Sequence, residues 1–464
     1  MCRITVGNKI WVENATQPIL DYIRDNLVVD NPEYYKKERM GLWLGNTPSS
    51  LYLYEKDGDT LILPFGCFAD LYHLCPDADY ISEFSPYMAL DYKSRINPYD
   101  YQEEAIKGAI RARNGIVVMP CGAGKTQTAL EIIARLKGKA LWLTHTQDLL
   151  NQSMSRAKSV LDVPFESYGT ITGGKVNIGY GITFATVQTM AKIDLSEYKD
   201  SWDIIVVDEC HKAVGSPTKC MQFYKVLSAL RARYKYGITA TPRRSDGLER
   251  TMFALLGNIV HEVPQEAVED TTCDMRVQII ETGYMPSYDA VLAGDGTLNY
   301  AALVNDMIHN DDRFYKVMDV INDLPHASPV LVLANRVEYL KDMKVNYEKT
   351  GVCLSGAGQS KAAKAERKAA LTALNNGEID CVFATYQLAK EGLDVPNLRY
   401  IVFATPEKDP TTITQAAGRV RRKAPGKEYG TVIDFVDDFA MYRGWAKKRE
   451  KIYKKIQKNV DILS

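Results

Sequence analysis

A glycine-rich loop between an apolar run and a helical pattern is the feature that most restricts the fold of this chain. The run Ile116–Met119 is strand-like, and the residues from Thr128 to Leu136 have helical character. Between them the chain reads Met119-Pro-Cys-Gly-Ala-Gly-Lys-Thr126. Glycines allow backbone N–H groups to curl around phosphates, and a helix that begins after the loop adds the positive end of its dipole. The order strand, loop and helix therefore predicts a phosphate site.

The residues of this loop have separate expected roles. The backbone of Gly122, Ala123 and Gly124 would surround the phosphates of ATP. Lys125 would reach the β- and γ-phosphates, and the Thr126 hydroxyl would hold Mg²⁺. The strict pattern has glycine where this chain has Met119, so an ordinary glycine turn before a helix is the alternative. Gly-Lys-Thr in a loop that follows a strand favours the nucleotide site.

Short apolar runs alternate with helical patterns through most of the chain. The strand candidates are Ala140–Leu143 and Ile204–Val207, then Val330–Leu333, Cys381–Ala384 and Tyr400–Phe403. This alternation predicts parallel sheets covered by helices. A length of 464 residues accommodates two such lobes, at residues 91–262 and 263–464. Ligands in such sheets bind at the carboxyl ends of strands, so motifs at these ends carry the most information.

The first 90 residues have a different character. Their aromatic residues are Trp11, Tyr34, Tyr35, Trp43, Tyr52, Tyr54, Phe65 and Phe68. The dipeptide Asp57-Gly58 lies between the strand-like runs Leu51–Tyr54 and Leu61–Leu63, a pattern typical of a β-hairpin. We therefore expect a small, partly β domain at residues 1–90.

Composition narrows the functional classes. With 57 Lys+Arg and 58 Asp+Glu residues the formal charge is -1, so a polyanion would have to bind at a local basic patch. Nine cysteines without a CxxC pair argue against a zinc site or a disulfide framework and indicate a reducing compartment. The first residues lack the apolar core of a signal peptide, and no run approaches the roughly 20 apolar residues that span a bilayer. We expect a cytoplasmic protein with no membrane partner.

Two carboxylates follow the run Ile204–Val207. In Asp208-Glu-Cys-His211, Asp208 can bind Mg²⁺ through water, and Glu209 can orient and activate an attacking water. A solvated acidic turn is the alternative for this tetrapeptide alone. A preceding Ile/Val strand and a phosphate loop in the same lobe weaken that alternative.

A basic segment, Gln415-Ala-Ala-Gly-Arg-Val-Arg-Arg422, lies in the second lobe. On a helix Arg419 and Arg422 would share one face, from which they could reach the γ-phosphate as arginine fingers. The alternative is a basic helix that is merely solvated, so this segment counts only in combination with the others.

Together these segments resemble the helicase motifs of superfamily 2, and the likeness covers roughly residues 97–436. The loop at 119–126 is similar to motif I, Asp208–His211 to motif II and residues 415–422 to motif VI. Gly237-Ile-Thr-Ala-Thr-Pro-Arg-Arg244 resembles motif III, and Ala384-Thr-Tyr through Glu391-Gly-Leu-Asp394 resembles motif V. The order and spacing match. Within the superfamily the chain looks most like phage branch-migration helicases of the UvsW type and their XPB and RecG relatives.

The resemblance implies two tandem RecA-like lobes, ATP and Mg²⁺ as ligands, and a set of functional residues. The implied catalytic residues are Glu209, Gln415, Arg419 and Arg422. The implied ATP-binding residues are Gln102, Gly122, Ala123, Gly124, Lys125, Thr126, Gly392 and Asp394, with Thr126 and Asp208 holding the metal. The implied coupling residues are His211, Thr239 and Thr241. Softer matches to the nucleic-acid-contacting segments give Thr146, Thr186, Gln188, Arg336 and Thr385 as DNA-contact candidates.

The resemblance also implies a function, an ATP-dependent DNA helicase or translocase acting on forked or branched DNA in replication, recombination or repair. Binding would be independent of base sequence, the protein a monomer, and its location the host-cell cytoplasm if it is phage-encoded. An RNA-remodelling ATPase and a double-stranded DNA translocase without strand separation are alternatives. A nucleotide-dependent binding switch that does not usefully hydrolyse ATP is a third alternative. The intact Glu209 and the two arginines, Arg419 and Arg422, argue against it.

Two terminal regions keep open alternatives. The aromatics of residues 1–90 could stack on splayed bases and read the DNA substrate, although aromatics at strand spacing usually form a domain's own core. Residues 442–458 predict a basic helix with Trp445, Ile452 and Ile456 packed inward. This helix either contacts acidic partners or presents a solvated face.

Overall fold

The computed structural model describes residues 1–463 apart from 88, 218–219, 244–246, 294–296, 355–360 and 391–394. The chain divides into two compact units. Unit 1 consists of Met1–Pro120 and Gly124–Pro264, and unit 2 of Cys121–Ala123 and Gln265–Ser464. Among the described residues, no helix has the length and apolar character needed to cross a membrane.

The first part of unit 1 is a small domain of mixed strands and helices. Its elements are β1 (Arg3–Val6), β2 (Lys9–Glu13), α1 (Gln17–Asn26), β3 (Val28–Asp30), α2 (Pro32–Arg39), β4 (Ser50–Tyr52), β5 (Glu55–Asp57), β6 (Thr60–Pro64), α3 (Phe68–Leu74) and β7 (Asp79–Ser82). The sheet order is β5-β6-β2-β1-β7, and β3 pairs with β4 separately. Alternate residues such as Ile4, Ile10 and Leu63 are fully buried, which is the pattern of strands with one face on a core.

The turn at Asp57-Gly58 is confirmed, but one predicted strand of the hairpin is wrong. The strand that pairs with β6 across this turn is β5, with Asp57 opposite Thr60. The apolar run Leu51–Tyr54 contributes instead to β4, which pairs with β3. Because β5 is a polar edge strand, it lacks the apolar alternation from which strands are recognised.

The rest of unit 1 is a parallel sheet covered by helices. Its elements are β8 (Lys93–Ser94), α4 (Asp100–Ala112), β9 (Asn114–Val118), α5 (Lys125–Leu136), β10 (Ala140–Thr144), α6 (Gln147–Val160), β11 (Leu161–Asp162), β12 (Tyr168–Thr172), β13 (Lys175–Asn177), β14 (Ile182–Thr186), α7 (Val187–Met190), β15 (Ile204–Asp208), α8 (Gln222–Ala229), β16 (Tyr234–Thr239), α9 (Glu249–Leu256) and β17 (Ile259–Glu262). The strand order is β13-β12-β14-β10-β15-β16-β9-β17. The pairs are parallel except β12 with β13.

The small domain is bonded directly to this sheet. Asn8 donates to the Ser228 carbonyl at 2.6 Å, and Asn258 donates to Asp70 at 3.0 Å. At the same seam Lys235 of β16 is fully buried, and its ammonium lies 4.6 Å from the centre of the Phe65 ring. Polar and apolar contacts together therefore fix residues 1–90 to the first α/β lobe.

Unit 2 contains the second parallel sheet. Its elements are β18 (Asp274–Glu281), α10 (Tyr288–Val291), α11 (Tyr300–Ile308), α12 (Asp311–Asp323), β19 (Val330–Ala334), α13 (Val337–Val345), β20 (Gly351–Leu354), α14 (Lys361–Asn376), β21 (Cys381–Thr385), α15 (Tyr386–Lys390), β22 (Tyr400–Phe403), α16 (Pro410–Arg419), β23 (Tyr429–Val436), α17 (Ala440–Ile456) and β24 (Asp461–Leu463). The strand order is β20-β21-β19-β22-β23-β18-β24. The predicted fold of two parallel-sheet lobes with a small, partly β N-terminal domain is confirmed.

The predicted C-terminal helix is present as α17, with one difference. Arg449, which the sequence suggested as part of a basic exposed face, is 1% exposed. Its guanidinium donates two hydrogen bonds to the Asp434 carboxylate at 2.8 Å, and Tyr453 donates to the same carboxylate at 2.9 Å. This buried network attaches α17 to β23.

Candidate functional site

The glycine loop leads from a buried strand into the first turn of a helix. All five residues of β9 are buried, and α5 begins at Lys125. Gly122 and Gly124 have φ values of 87° and 76°, a region that favours glycine. A Cβ atom at Gly124 would lie 2.4 Å from Gln102 Nε2, so a side chain is excluded here for a second reason.

This contact brings the implied ATP-binding residue Gln102, and the segment around it, against the phosphate loop. Gln102 lies on α4 and is 2% exposed, and its Oε1 accepts a hydrogen bond from the Tyr99 backbone at 3.1 Å. The rings of Tyr99 and Tyr101 stack with centroids 5.6 Å apart. The segment is thus a structured N-terminal cap of α4, beside the loop that holds Lys125 and Thr126.

Two adjacent carboxylates follow the buried strand β15. Asp208 is 7% exposed and accepts hydrogen bonds from the Glu209 backbone at 3.0 Å and from Ser153 Oγ at 3.4 Å. Burial, and next the charge of Glu209, raise the pKa of Asp208. Burial acts in the same direction on Glu209, but the hydrogen bond with His211 and the charge of Lys125 outweigh it and lower the pKa of Glu209.

These opposite shifts fit different roles. An ionised Glu209 can accept a proton from water or orient it. Asp208 is an oxygen donor whose charge a nearby cation would stabilise, and carboxylate and hydroxyl oxygens are the donors that Mg²⁺ prefers. Asp208 and Thr126 therefore suit a magnesium ion chemically.

The backbone at Glu209 is in a conformation that is uncommon for this residue type. Its φ is 51°, and residues 210–212 form a short 3₁₀ turn. Non-glycine residues in this region cost roughly 1 kcal/mol or more and persist where their surroundings impose them, often at functional sites. The strained turn aims the carboxylate at His211.

The three residues proposed for coupling lie together. His211 Nδ1 is 3.3 Å from Glu209 Oε2 and 3.0 Å from Thr239 Oγ1. The same Thr239 hydroxyl accepts a hydrogen bond from the Thr241 backbone at 3.1 Å. Since Thr239 ends β16, these contacts connect the Glu209 carboxylate to the end of a neighbouring strand.

In unit 2 the motif VI residues lie at the end of a helix rather than along it. Helix α16 starts after Asp409, whose side chain accepts from the Thr412 backbone at 3.2 Å, and ends at Arg419. The helix that was expected to hold both arginines ends at Arg419, and Arg422 lies in the following turn, where its N–H donates to the Arg419 carbonyl at 3.3 Å. Gln415, Arg419 and Arg422 are partly exposed. Gly392 and Asp394 lie outside the described residues.

The DNA-contact candidates of unit 1 lie at the ends of two paired strands. Thr186 is the last residue of β14 and pairs with Thr144 of β10, and Thr146 follows two residues later. Thr146 caps α6 by accepting from the Leu149 backbone at 3.3 Å. Thr186 is 6% exposed, and its hydroxyl forms a hydrogen bond with the Thr189 hydroxyl at 3.0 Å.

Gln188 adds a bond between these two strand ends. Its Nε2 donates to the His145 carbonyl at 2.7 Å. The side-chain amide of Gln188, a DNA-contact candidate, therefore also connects the two strand ends.

The candidates of unit 2 repeat this arrangement. Thr385 is the last residue of β21 and pairs with Ala334 of β19, and Arg336 follows two residues later. Arg336 is at the N-terminus of α13, and the Thr385 hydroxyl accepts from the Leu388 backbone at 3.4 Å. Each sheet thus places two candidates at the carboxyl ends of neighbouring strands, next to helix N-termini.

Two functional features were not predicted from the sequence. Ser153, which donates to Asp208, lies on α6, where a serine in a mixed polar helix gives no signal. Arg421 was grouped with the basic residues of motif VI, yet it is 1% exposed. The available signal was its position: Arg419 and Arg422 are three residues apart, whereas Arg421 is adjacent to Arg422 and so does not share their spacing.

Comparison with known proteins gives two family matches. Residues 95–244 match the family model of the type III restriction enzyme res subunit, and residues 313–424 match the helicase conserved C-terminal domain. The chain belongs to helicase superfamily 2. Like other members it is an ATP-driven enzyme.

Individual relatives cover different parts of this helicase. A candidate ATP-dependent RNA helicase of Acanthamoeba polyphaga mimivirus is 25% identical over 83% of this chain and 73% of its own length. The DNA 3'-5' translocase XPB2 of Sulfurisphaera tokodaii is 35% identical over 36% of each chain. A fragment structure of a candidate HsdR subunit of a type I restriction enzyme from Vibrio vulnificus aligns over 98% of this chain and 87% of that one, at 16% identity and a TM-score of 0.56, and shares its fold.

Proposed function

We propose that this helicase is an ATP-dependent DNA translocase that remodels forked or branched DNA. The observation that carries the proposal is the repeated arrangement of Thr146 with Thr186 and of Arg336 with Thr385 at paired strand ends. Hydroxyl, guanidinium and helix N-terminal N–H groups are those that bind phosphate oxygens, and such contacts carry no base information. Two equivalent backbone-binding edges on one chain suit alternate gripping of a strand.

In this proposal the chemical step belongs to the chain's own carboxylate and basic groups. Glu209, held ionised by His211 and Lys125, orients the attacking water. Lys125 binds the phosphates, and Arg419 and Arg422 stabilise the charge that develops on the transferred phosphoryl group. A magnesium ion held by Asp208 and Thr126 would supply further charge stabilisation when bound. The bond between His211 and Thr239 relays the state of this site to β16.

Steady-state ATP hydrolysis tests the proposal. We expect stimulation by DNA of any sequence, with affinity that falls steeply as salt rises, because phosphate contacts release counterions. The stimulation of ATP hydrolysis should be compared for single-stranded DNA, duplex, fork, Holliday junction and RNA of the same length. Hydrolysis that no nucleic acid stimulates would refute the proposal.

An RNA-remodelling ATPase is the second candidate, favoured by the name of the mimivirus relative. The XPB2 relative is named for DNA translocation, and its identity of 35% is higher over a shorter region. Stimulation by RNA that exceeds stimulation by DNA of equal sequence would decide for RNA. Translocation without strand separation is distinguished by displacement of a third strand from a triplex without unwinding of a tailed duplex.

The N-terminal domain offers a candidate reader of the fork. Most of its aromatics are buried or partly buried, but Trp43 is 89% exposed. The indole leans on Gly45, where a Cβ would lie 2.9 Å from the ring, and the loop is braced by hydrogen bonds from Lys37 to Thr47 and from Asn31 to Pro48. An exposed indole on a loop that is held by hydrogen bonds suits stacking on an unpaired base.

A point substitution tests this role better than removal of the domain, because removal would expose the seam around Lys235. Trp43→Ala should reduce unwinding and binding of forks while leaving ATP hydrolysis on single-stranded DNA within about twofold, since stacking contributes roughly 1–3 kcal/mol per base. Trp43→Phe should retain most of the activity. Equal fork binding by Trp43→Ala and wild type would remove Trp43 from the proposal and leave the motor function untouched.

A further inference from the structure

Arg421 lies between the two finger candidates and points into the protein. Its side chain is 1% exposed. It donates to Thr272 Oγ1 at 2.7 Å, to the Ile456 carbonyl at 2.5 Å and to the Cys273 carbonyl at 3.3 Å. In return the Cys273 N–H donates to the Arg421 carbonyl at 2.7 Å. One guanidinium therefore joins the turn after α16 to the segment that precedes β18 and to the end of α17.

The backbone of Arg422 is fixed by the same group of residues. Its carbonyl accepts from Lys427 Nζ at 2.9 Å and from Cys273 Sγ at 3.4 Å. Lys427 also reaches the Pro396 carbonyl at 3.4 Å, and its side chain is largely buried. The positions of residues 421 and 422 thus depend on the segment that enters unit 2 at Gln265.

Stability alone is a poor explanation for this arrangement. The acceptors of Arg421 are neutral oxygens, so its charge is removed from water without a bonded carboxylate, and burial of a charge is expensive. A well-packed apolar side chain in such a place is often equally stable or more stable. What an arginine adds is a planar group that fixes three acceptors in one geometry.

We propose that Arg421 is a positioning residue that sets Arg419 and Arg422 relative to the segment 265–273, so that strain in this segment changes how the two guanidinium groups meet the phosphoryl group. The inference rests on the proposed role of these arginines in hydrolysis. Thr272 is the part of the brace that belongs to this segment. Its hydroxyl accepts from Arg421 and donates to the Val268 carbonyl at 3.0 Å.

The two threonines that flank β18 provide a matched test. Thr272→Val removes the hydroxyl that Arg421 bonds while keeping the size and shape of the residue. The control is Thr282→Val at the opposite end of the strand, where the hydroxyl donates to Asp437 at 2.6 Å. Thr272→Ser retains the hydroxyl, and Arg421→Lys retains the charge but not the three-point geometry.

We expect Thr272→Val to lower kcat for ATP hydrolysis about fivefold or more while KM for ATP stays within about twofold, because finger contacts act mainly in the transition state. Arg421→Lys should lower kcat at least as much. Thr272→Ser should be close to wild type. Thr282→Val should lower Tm without changing kcat beyond about twofold.

The inference is overturned if Thr272→Val keeps the wild-type kcat, or if Thr272→Val and Thr282→Val lose kcat in proportion to their loss of Tm. If Arg421→Lys does not fold, the comparison of Thr272→Val with Thr282→Val still tests the inference. Each kcat is measured with and without DNA. A wild type that DNA does not stimulate refutes the proposed translocase, whereas the threonine comparison on basal hydrolysis judges this inference separately.

Discussion

Replacement of the buried lysine at the seam of unit 1 should change how stability depends on pH. Lys235 is fully buried, and burial lowers the pKa of its ammonium from 10.5 to about 7. Its Nζ donates to the Leu227 carbonyl at 2.8 Å and lies 3.4 Å from the Asn8 carbonyl. Lys235→Met retains an unbranched chain of similar length and removes the titrating group.

The direction in which stability changes with pH follows from proton binding by Lys235 in the folded and unfolded states. Below about pH 7 both states hold the proton, so the folded protein carries the whole cost of the buried ammonium. Between about pH 7 and the pKa of the unfolded chain, only the unfolded state holds it, and stability rises with pH. From the shift of Lys235, the gain between about pH 6 and about pH 9 is roughly 2–3 kcal/mol.

Denaturant unfolding of wild type and Lys235→Met at these two pH values measures the effect. The free energy of unfolding of the variant minus that of wild type should fall by roughly 2–3 kcal/mol from the lower to the higher pH. The matched control is Lys225→Met, in which the replaced lysine is exposed, and its profile should follow the wild type. A difference that stays constant across the range would show that Lys235 keeps its proton and would refute the reasoning.

Three further substitutions test the core and the site. Gly237→Ala should destabilise the protein by about 1–3 kcal/mol, measured by denaturant unfolding, because the new Cβ would lie 2.7 Å from Cys210 Sγ. Arg313→Met should cost about 3–5 kcal/mol in the same assay, because it leaves Asp437, fully buried and 2.7 Å from the guanidinium, without its ion-pair partner. Glu209→Gln should lower kcat by about a hundredfold or more while retaining binding of a fluorescent ATP analogue, and a kcat near wild type would exclude Glu209 as the water-orienting group.

The parallel sheets could be predicted because their strands are buried on both faces. Runs such as Ile204–Val207 and Val330–Leu333 are continuous apolar segments, and the first is followed directly by the carboxylate of Asp208. The same principle failed at the N-terminal hairpin. Strand β5 is exposed and polar, so its place in the sheet is set by its partner β6 and by contacts such as Lys9 with Glu55 rather than by its own pattern.

Burial of charged residues was the part of the site that the sequence could not specify. A basic run normally indicates a solvated face, and this expectation holds for the lysines of α17 but not for Arg449. Arg421 and Arg449 are buried because their partners come from distant positions, Thr272 and Asp434, that tertiary packing brings together.

One strand links the features of unit 1 that respond to these tests. Alternate residues of a strand face the same side, so Lys235, Gly237 and Thr239 share one face of β16. The first contacts the N-terminal domain, the second leaves room for Cys210, and the third bonds to His211. The face that anchors the N-terminal domain is therefore continuous with the face that meets the turn bearing Glu209. Because β16 is paired with β15 on one side and with β9 on the other, we expect a displacement of β16 at the seam to reach the contact between His211 and Thr239.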